Sequence, residues 1–324
     1  MLSLADCQKI INRHLNEIEL PELPSNLYDP VRYMLCLGAK RIRPSIVLMG
    51  CNVFSDSIEH AVYPAMAIEV FHNFTLVHDD IMDKSEVRRN QPTVYMKWSP
   101  NIALLSGDAM VIKAYELLSK ARNSDLEKIL PVFNKTALQV CEGQQFDMDY
   151  ESHEKISIEE YLEMVEFKTA VLLAASFKIG ALTGGASAAD ADLLYEFGRK
   201  IGIAFQLQDD LLDVFSSTEI FGKSTGHDIV SNKKTILLTE ALERVTGNTR
   251  EYLLGWLKKE NFIPDEKIRA VKSVYSSLDL ETIVIKRIND LYDSANEQLE
   301  KLSVEQVRIK ELRLFSSYLL NRKK

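Results

Sequence analysis

The chain has 324 residues, 46% hydrophobic and 27% charged, an ordinary globular composition with ample material for a core. A net charge of −8 argues against a general nucleic-acid binder, and no apolar run reaches the roughly 18 residues needed to span a bilayer. The N-terminus lacks the apolar stretch of a signal peptide, and Cys7, Cys36, Cys51 and Cys141 show no Cys-x-x-Cys spacing, so the thiols read as reduced and the protein as soluble and cytoplasmic.

Nearly every segment reads as helix, and no linker rich in Gly, Pro or Ser divides the chain. The expectation is an all-α fold, one domain over residues 1–324. Residues 2–19 form an amphipathic opening helix stopped by Pro21 and Pro24, and Pro30 suits the first turn of a helix running towards Gly38. Gly38-Ala39-Lys40-Arg41-Ile42-Arg43-Pro44 follows, a basic turn whose proline can open the next helix. Its cations fit either a helix C-terminus, where they complement the dipole, or a diphosphate cradle made by Lys40 and Arg43. Residues 45–54 and 61–83 make two further helices.

The second of these ends in Asp79-Asp80-x-x-Asp83. Positions i and i+4 share a helix face, so Asp79 and Asp83 project together with Asp80 beside them, and three acids this close call for a neutralising cation. Mg²⁺ suits oxygen ligands and commonly binds one or two carboxylates plus substrate phosphates. Arg88 and Arg89 come a few residues later and are natural partners for phosphate oxygens. On a helical wheel His72 falls within about 20° of Asp79, roughly two turns away, either as a packed core residue or as a member of the acidic face. Glu69-x-x-His72 resembles half of a di-iron carboxylate motif, but no second copy completes it.

Residues 101–122 and 125–150 continue the helical pattern, the latter ending in Gly143-Gln144-Gln145-Phe146-Asp147, a polar helix end or a support near the site. Ser157 with Glu160 three residues on is a helix start, and that helix carries Lys168-Thr169. The small segment 180–186 reads as a helix end and turn, without the spacing of a phosphate loop. Residues 188–216 form a helix bearing Gln206 and a second Asp-Asp-x-x-Asp, Asp209-Asp210-x-x-Asp213. Two such helices facing one another across a cavity would hold several Mg²⁺ ions around one diphosphate. Gly222-Lys223 and Asn232-Lys233-Lys234-Thr235 read as a loop bringing cations to phosphate, or as a solvated basic loop. The rest of the chain is helical scaffold.

From about Lys40 to Thr235 these ordered motifs make the chain resemble the trans-isoprenyl diphosphate synthases, the polyprenyl synthetase family that includes farnesyl and geranylgeranyl diphosphate synthases. One departure is Ala39, where the family's basic turn usually has a second glycine. The resemblance implies a bundle of about ten or more helices around a central cavity, and a homodimer. It implies that Lys40 and Arg43, helped by His72 and Arg89, bind isopentenyl diphosphate. It makes Lys168, Lys223 and Lys233 contacts of the allylic diphosphate, with Arg88 adding positive charge, and it turns Thr169 and Gln206 towards the developing carbocation. Asp79, Asp80, Asp83, Asp209, Asp210 and Asp213 are the implied metal ligands, for about three Mg²⁺ ions per active site. The implied reaction is ionisation, head-to-tail condensation and proton loss to the released diphosphate.

In this family, bulky residues just before the first acidic motif limit product length. Here these are Phe74, Thr75 and, one turn lower, Phe71. A single aromatic at the fifth position upstream resembles geranylgeranyl-type enzymes and favours a C20 product over C15, while on a helical wheel Phe71, about 80° from Asp79 against about 140° for Phe74, is the alternative obstruction. A terpene cyclase is the first rival, but it would not need the Lys40–Arg43 cradle and normally mixes other ligands into its second motif. A non-catalytic partner subunit is the second rival, and it would be expected to lose metal ligands that this chain keeps.

Overall fold

The structure, a computed structural model, describes residues 1–216 and 226–320. It is all-α apart from one short hairpin, and the chain groups into two compact units. The first comprises residues 1–134, 175–195 and 302–312, and the second residues 135–174, 196–301 and those from 313 on.

In the first unit, α1 (Leu4–Asn16) starts at a capping box between Ser3 and Asp6 and buries Cys7, Ile11 and Leu15, one residue per turn. α2 (Ser25–Cys36) begins behind Pro24, whose fixed φ suits the N-cap. Pro30 therefore sits inside α2 rather than in its first turn. α3 (Ile42–Phe54) is buried at every position from Pro44 to Val53, so it is wrapped on all sides. Glycines let another helix, α9 (Val171–Thr183), touch its backbone: a Cβ on Gly180 would lie 2.2 Å from the Val47 carbonyl, and one on Gly184 2.5 Å from that of Cys51. α4 (Glu59–Met82) packs along α6 (Pro100–Leu118), the short α5 (Val94–Lys97) lying between them in sequence. A Cβ on Gly107 of α6 would strike the His78 ring at 2.2 Å.

Between α4 and α5 the chain forms the hairpin, β1 (Val87–Arg88) against β2 (Gln91–Pro92). Arg89 (φ 53°) and Asn90 (φ 61°) make its tight turn, both left-handed as a primed hairpin turn requires. The segment 302–312 is fastened by Asp190, which accepts hydrogen bonds from Ser187 Oγ (2.7 Å), Ser303 N (2.9 Å) and Ser303 Oγ (2.6 Å).

The second unit takes in α7 (Asn123–Glu151) from Lys135 onward, α8 (Ile158–Val165) and α10 (Ala188–Phe215) from Glu196 onward. α8 starts as expected: Ser157 Oγ accepts from Glu160 N (3.1 Å) and Glu160 answers to Ser157 N (2.7 Å). It also contains α11 (His227–Val230), α12 (Ile236–Arg244), α13 (Gly247–Leu257), α14 (Pro264–Ser277), α15 (Leu280–Glu300) and, from Arg313 onward, α16 (Lys310–Leu320). Two lysines of α14 satisfy carbonyls that helix ends leave open: Lys272 reaches Val214 O (2.9 Å) near the end of α10, and buried Lys267 reaches Val230 O (3.0 Å) at the end of α11. Fully buried Glu240 is neutralised by Arg244 (2.8 Å) and Arg287 (2.7 Å).

Candidate active site

The first acidic motif lies at the C-terminus of α4, with Asp83 as its C-cap. Negative charge is unwelcome at this end of a helix dipole, so the local backbone adds to the demand for a cation. The three acids are disposed differently. Asp83 is exposed, Asp79 half-buried and Asp80 buried. Arg88, on the hairpin, donates Nε to both Asp80 oxygens (2.8 and 2.9 Å), and its second nitrogen lies 2.7 Å from Asp80 and 3.6 Å from Asp79. Burial pushes the Asp80 carboxyl up in pKa, opposed by Arg88.

The basic turn is held in the same unit by a residue whose role the sequence did not disclose. Arg41 is the N-cap of α3 in the left-handed region (φ 47°) and is buried. Its guanidinium donates to Glu69 Oε1 (2.5 Å), Asn12 Oδ1 (3.3 Å) and the Leu35 carbonyl, and Asn73 donates to Glu69 in turn (3.1 Å). This network fixes the turn that presents exposed Lys40 and half-buried Arg43. Glu69 is thus a counter-ion to Arg41. The structure brings His72 to Arg43, whose guanidinium donates to Nε2 at 3.1 Å. Burial, and then Arg43, Arg89, Arg88 and Arg41, hold the His72 pKa well down. The ring is therefore neutral, with its proton on Nδ1. Burial and nearby Arg89 also lower Arg43 to about 10, and its Nε is a buried donor without a partner. Half-buried Arg89 reaches the Leu37 carbonyl at 3.4 Å. A neutral imidazole ringed by guanidiniums, one with a spare buried N–H, fits an oxyanion.

Two of the three predicted chain-length residues, Phe71 and Phe74, belong to a cluster of edge-on and tilted aromatic rings in this unit. Phe71 is buried, with ring centroids 5.2 Å from Phe133 and 5.4 Å from Phe74, and Phe74 in turn lies 4.8 Å from the His78 ring. Thr75 spends its hydroxyl on the His72 carbonyl (2.8 Å).

In the second unit, a small pocket is lined by Asp147, Lys168, Thr169, Gln206, Asp210 and Lys233. Lys168 and Thr169 sit on a π turn (Glu166–Ala170) between α8 and α9. Lys168 Nζ donates to Asp147 Oδ2 (2.5 Å), which gives the polar end of α7 its place in the site. Gly143 on the same helix permits the approach: a Cβ there would lie 2.2 Å from the Lys168 nitrogen. Thr169 Oγ1 reaches Gln206 Oε1 over a long 3.4 Å, and Gln206 Nε2 donates to Asp210 Oδ1 (3.0 Å). Buried Asp210 also accepts from Tyr161 OH (2.5 Å) and Ile236 N (3.1 Å). Burial raises its carboxyl, against the bonds from Tyr161 and Gln206.

Asp209 and Asp213 are half-buried on α10, and Asp213 Oδ2 accepts the Asp228 N–H at 3.1 Å. Asp228 itself is raised to about 7 by burial and by the crowding of Asp210, Asp213 and Asp147, against Lys233. Tyr161 had no sequence signal. Asp228 had a weak one, an acid in a loop of glycines and lysines. Lys223 lies outside the described residues.

A hard divalent cation fits these donors. The acidic groups offer oxygen alone, and around Asp228, raised chiefly by burial, Asp210, Asp213 and Asp147 add further negative charge. Among the described residues no three His, Cys, Asp or Glu side chains form a complete metal cage.

Comparison with known proteins agrees with this chemistry. A polyprenyl synthetase profile matches residues 24–278. The chain is 44% identical over 223 residues to the geranylgeranyl diphosphate synthase of Methanosarcina mazei, covering 68% of this chain and 69% of that one. It is 35% identical over 296 residues to that of Sulfolobus acidocaldarius, covering 90% of each. A solved geranylgeranyl pyrophosphate synthase superposes over 100% of both chains with a TM-score of 0.95 and 38% identity. The chain therefore belongs to the polyprenyl synthetase family.

Proposed function

We propose that this protein is a short-chain trans-prenyltransferase that joins isopentenyl diphosphate head-to-tail to allylic diphosphates and releases a C20 product, with C15 as the alternative. The observation that carries the reading is the cluster of Arg43, neutral His72 and Arg89, with a buried guanidinium N–H still to be satisfied. A cyclase that takes no second diphosphate has no use for such a cradle. The C20 preference rests on Phe74 at the fifth position before Asp79 and on the geranylgeranyl synthases among the similar proteins.

Lys40, Arg43 and Arg89 bind the diphosphate of isopentenyl diphosphate, while His72 offers Nδ1–H. Lys168 exchanges Asp147 for an oxygen of the allylic diphosphate, and Lys233 and Lys223 approach the same group. Enzymes of this family depend on Mg²⁺, and Asp79, Asp83, Asp209 and Asp213 would hold it, about three ions, supplying Lewis-acid neutralisation of the leaving diphosphate. Asp80 and Asp210 are assigned to positioning, because their oxygens are already engaged with Arg88 and with Tyr161, Gln206 and Ile236 N. Thr169 and Gln206 turn oxygens towards the allylic cation. The double bond attacks, and the proton leaves to the released diphosphate, so no protein base is needed. Phe74, backed by Phe71, stops the growing chain. A homodimer in the cytoplasm completes the proposal, and among the described residues no helix is long and apolar enough to cross a membrane.

The test is purified protein with Mg²⁺, labelled isopentenyl diphosphate and each of the C5, C10 and C15 allylic diphosphates, with products sized after phosphatase treatment. A discrete C20 or C15 alcohol is expected. Diphosphate release without incorporation of label would replace the reading with a cyclase, and absence of turnover with a partner subunit.

A further inference from the structure

The π turn that carries Lys168 and Thr169 is an uncommon backbone form. Val171 N–H bonds back to Glu166 O across five residues, where an α-helix would span four. Such a turn persists only where its surroundings over-determine it, and it concentrates at functional sites. Besides the side-chain bonds of Lys168 to Asp147 and of Thr169 to Gln206, three attachments hold the frame of the turn. Gly143 of α7 lies under the Phe167–Lys168 peptide, and Gly202 of α10 abuts Ala170, where an added Cβ would be 2.7 Å away. These are steric contacts, and they set distance without setting rotation. The third is directional: Arg199 of α10 donates to Glu166, the first residue of the turn, at 2.7 Å. Arg199 is itself clamped by Glu196 one turn earlier, at 2.9 to 3.2 Å through two of its nitrogens. Gln206, the partner of Thr169, follows Arg199 by seven residues (206 minus 199), two turns along the same helix.

We infer that Arg199 is a positioning residue for the condensation. It fixes the rotation of the π turn relative to α10 and thereby aims Lys168 at the allylic diphosphate and Thr169 at the reacting carbon. The inference rests on the reaction proposed above. The pair is about a quarter exposed on each side (26% and 28%), and thermal melts on its variants separate its share of stability from its effect on rate. Its effect lies in geometry, where an error of about 1 Å lowers rates by as much as ~100-fold.

The experiment compares the unsubstituted protein with Arg199→Met, Arg199→Lys, Glu166→Gln and the double variant Arg199→Met/Glu166→Gln. Arg199→Met is expected to lower kcat about tenfold or more, leave KM for isopentenyl diphosphate within about twofold and shift Tm by only a few degrees. Arg199→Lys should recover part of kcat, and the double variant should lose no more than the worse single one, because both act through one contact. A purely structural role predicts joint loss of stability and of both KM values, and that result, or an unchanged kcat, overturns the inference. Hydrogen exchange on the same variants tests the mount without turnover. The Val171 amide should exchange about tenfold faster in Arg199→Met while the core helices stay protected, and equal exchange overturns the inference as well. Should the unsubstituted protein fail to elongate, the assigned reaction falls, and the exchange result still decides whether Arg199 holds the turn.

Discussion

The two Asp-Asp-x-x-Asp motifs are identical in spacing and different in physics. The first ends a helix, with Asp83 as its C-cap, and the second still lies inside one, within the last two turns of α10. In both, the middle acid is buried and turned into the protein: Asp80 meets a bidentate guanidinium, whereas Asp210 meets a phenol, an amide and a backbone N–H. The repeat in sequence thus conceals a division of labour, one member of each triplet serving the scaffold. The charge at the helix end is met by another charge in direct contact, and the one in the helix interior by hydrogen bonds from neutral dipoles, with the Lys233 charge acting on it besides.

The largest effect should come from the acids assigned to the metal. Asp79→Asn and Asp209→Asn are each expected to lower kcat about 100- to 1,000-fold with little change in Tm, as steady-state assays with thermal melts would check. Near-normal activity in either would show that the two motifs are not equal partners. Next come the supports of the middle acids. Arg88→Met leaves a buried carboxylate without its cation and should cost about 3 kcal/mol in chemical denaturation, whereas Tyr161→Phe removes one neutral donor of several and should cost about 1–2 kcal/mol. Equal losses would erase the distinction between charge pairing and dipole pairing. Phe74→Ala would make the fifth position before the first motif match that of the second, which is Ala204. Longer products are expected by chromatography, and unchanged length would remove Phe74 as the floor.

The smallest effect is a pH dependence confined to the first unit. His72 is held below its ordinary pKa, so the unfolded chain takes up a proton that the folded protein refuses. The associated stability is present above about pH 6.5 and is lost as the pH falls towards the folded value. Denaturation midpoints of His72→Asn should vary less over that range than those of the unsubstituted protein, and parallel curves would contradict the assignment.

Long amphipathic segments made most of the fold legible, since about eight turns of consistent period, as in α7 and α10, are hard to mistake. Local motifs also placed the acids, the basic turn and the Ser157 cap. What escaped depends on partners distant in sequence or on backbone forms without a signature. Tyr161 finds Asp210 at a separation of 49 residues, and Arg41 finds Glu69 at 28. The hairpin strands are two residues each, too short for any alternation to register. A π turn adds one residue to a helix without altering its composition. Pro30 lies inside α2 rather than at its start because Pro24 sets the start, and in sequence the two kinds of proline look alike.

The left-handed backbone of Arg89 sets a trade-off that selection and engineering would resolve in opposite directions. A side chain with a Cβ is disfavoured at φ 53°, and Arg89→Gly should relax the turn, gaining about 1 kcal/mol before chain-entropy losses are counted. It would also delete a guanidinium from the cradle. A screen for heat resistance alone would therefore tend to discard Arg89 early, while a screen for prenyl transfer would retain it at a standing disadvantage in stability. The position offers a way to ask whether a variant library was enriched for durability or for chemistry.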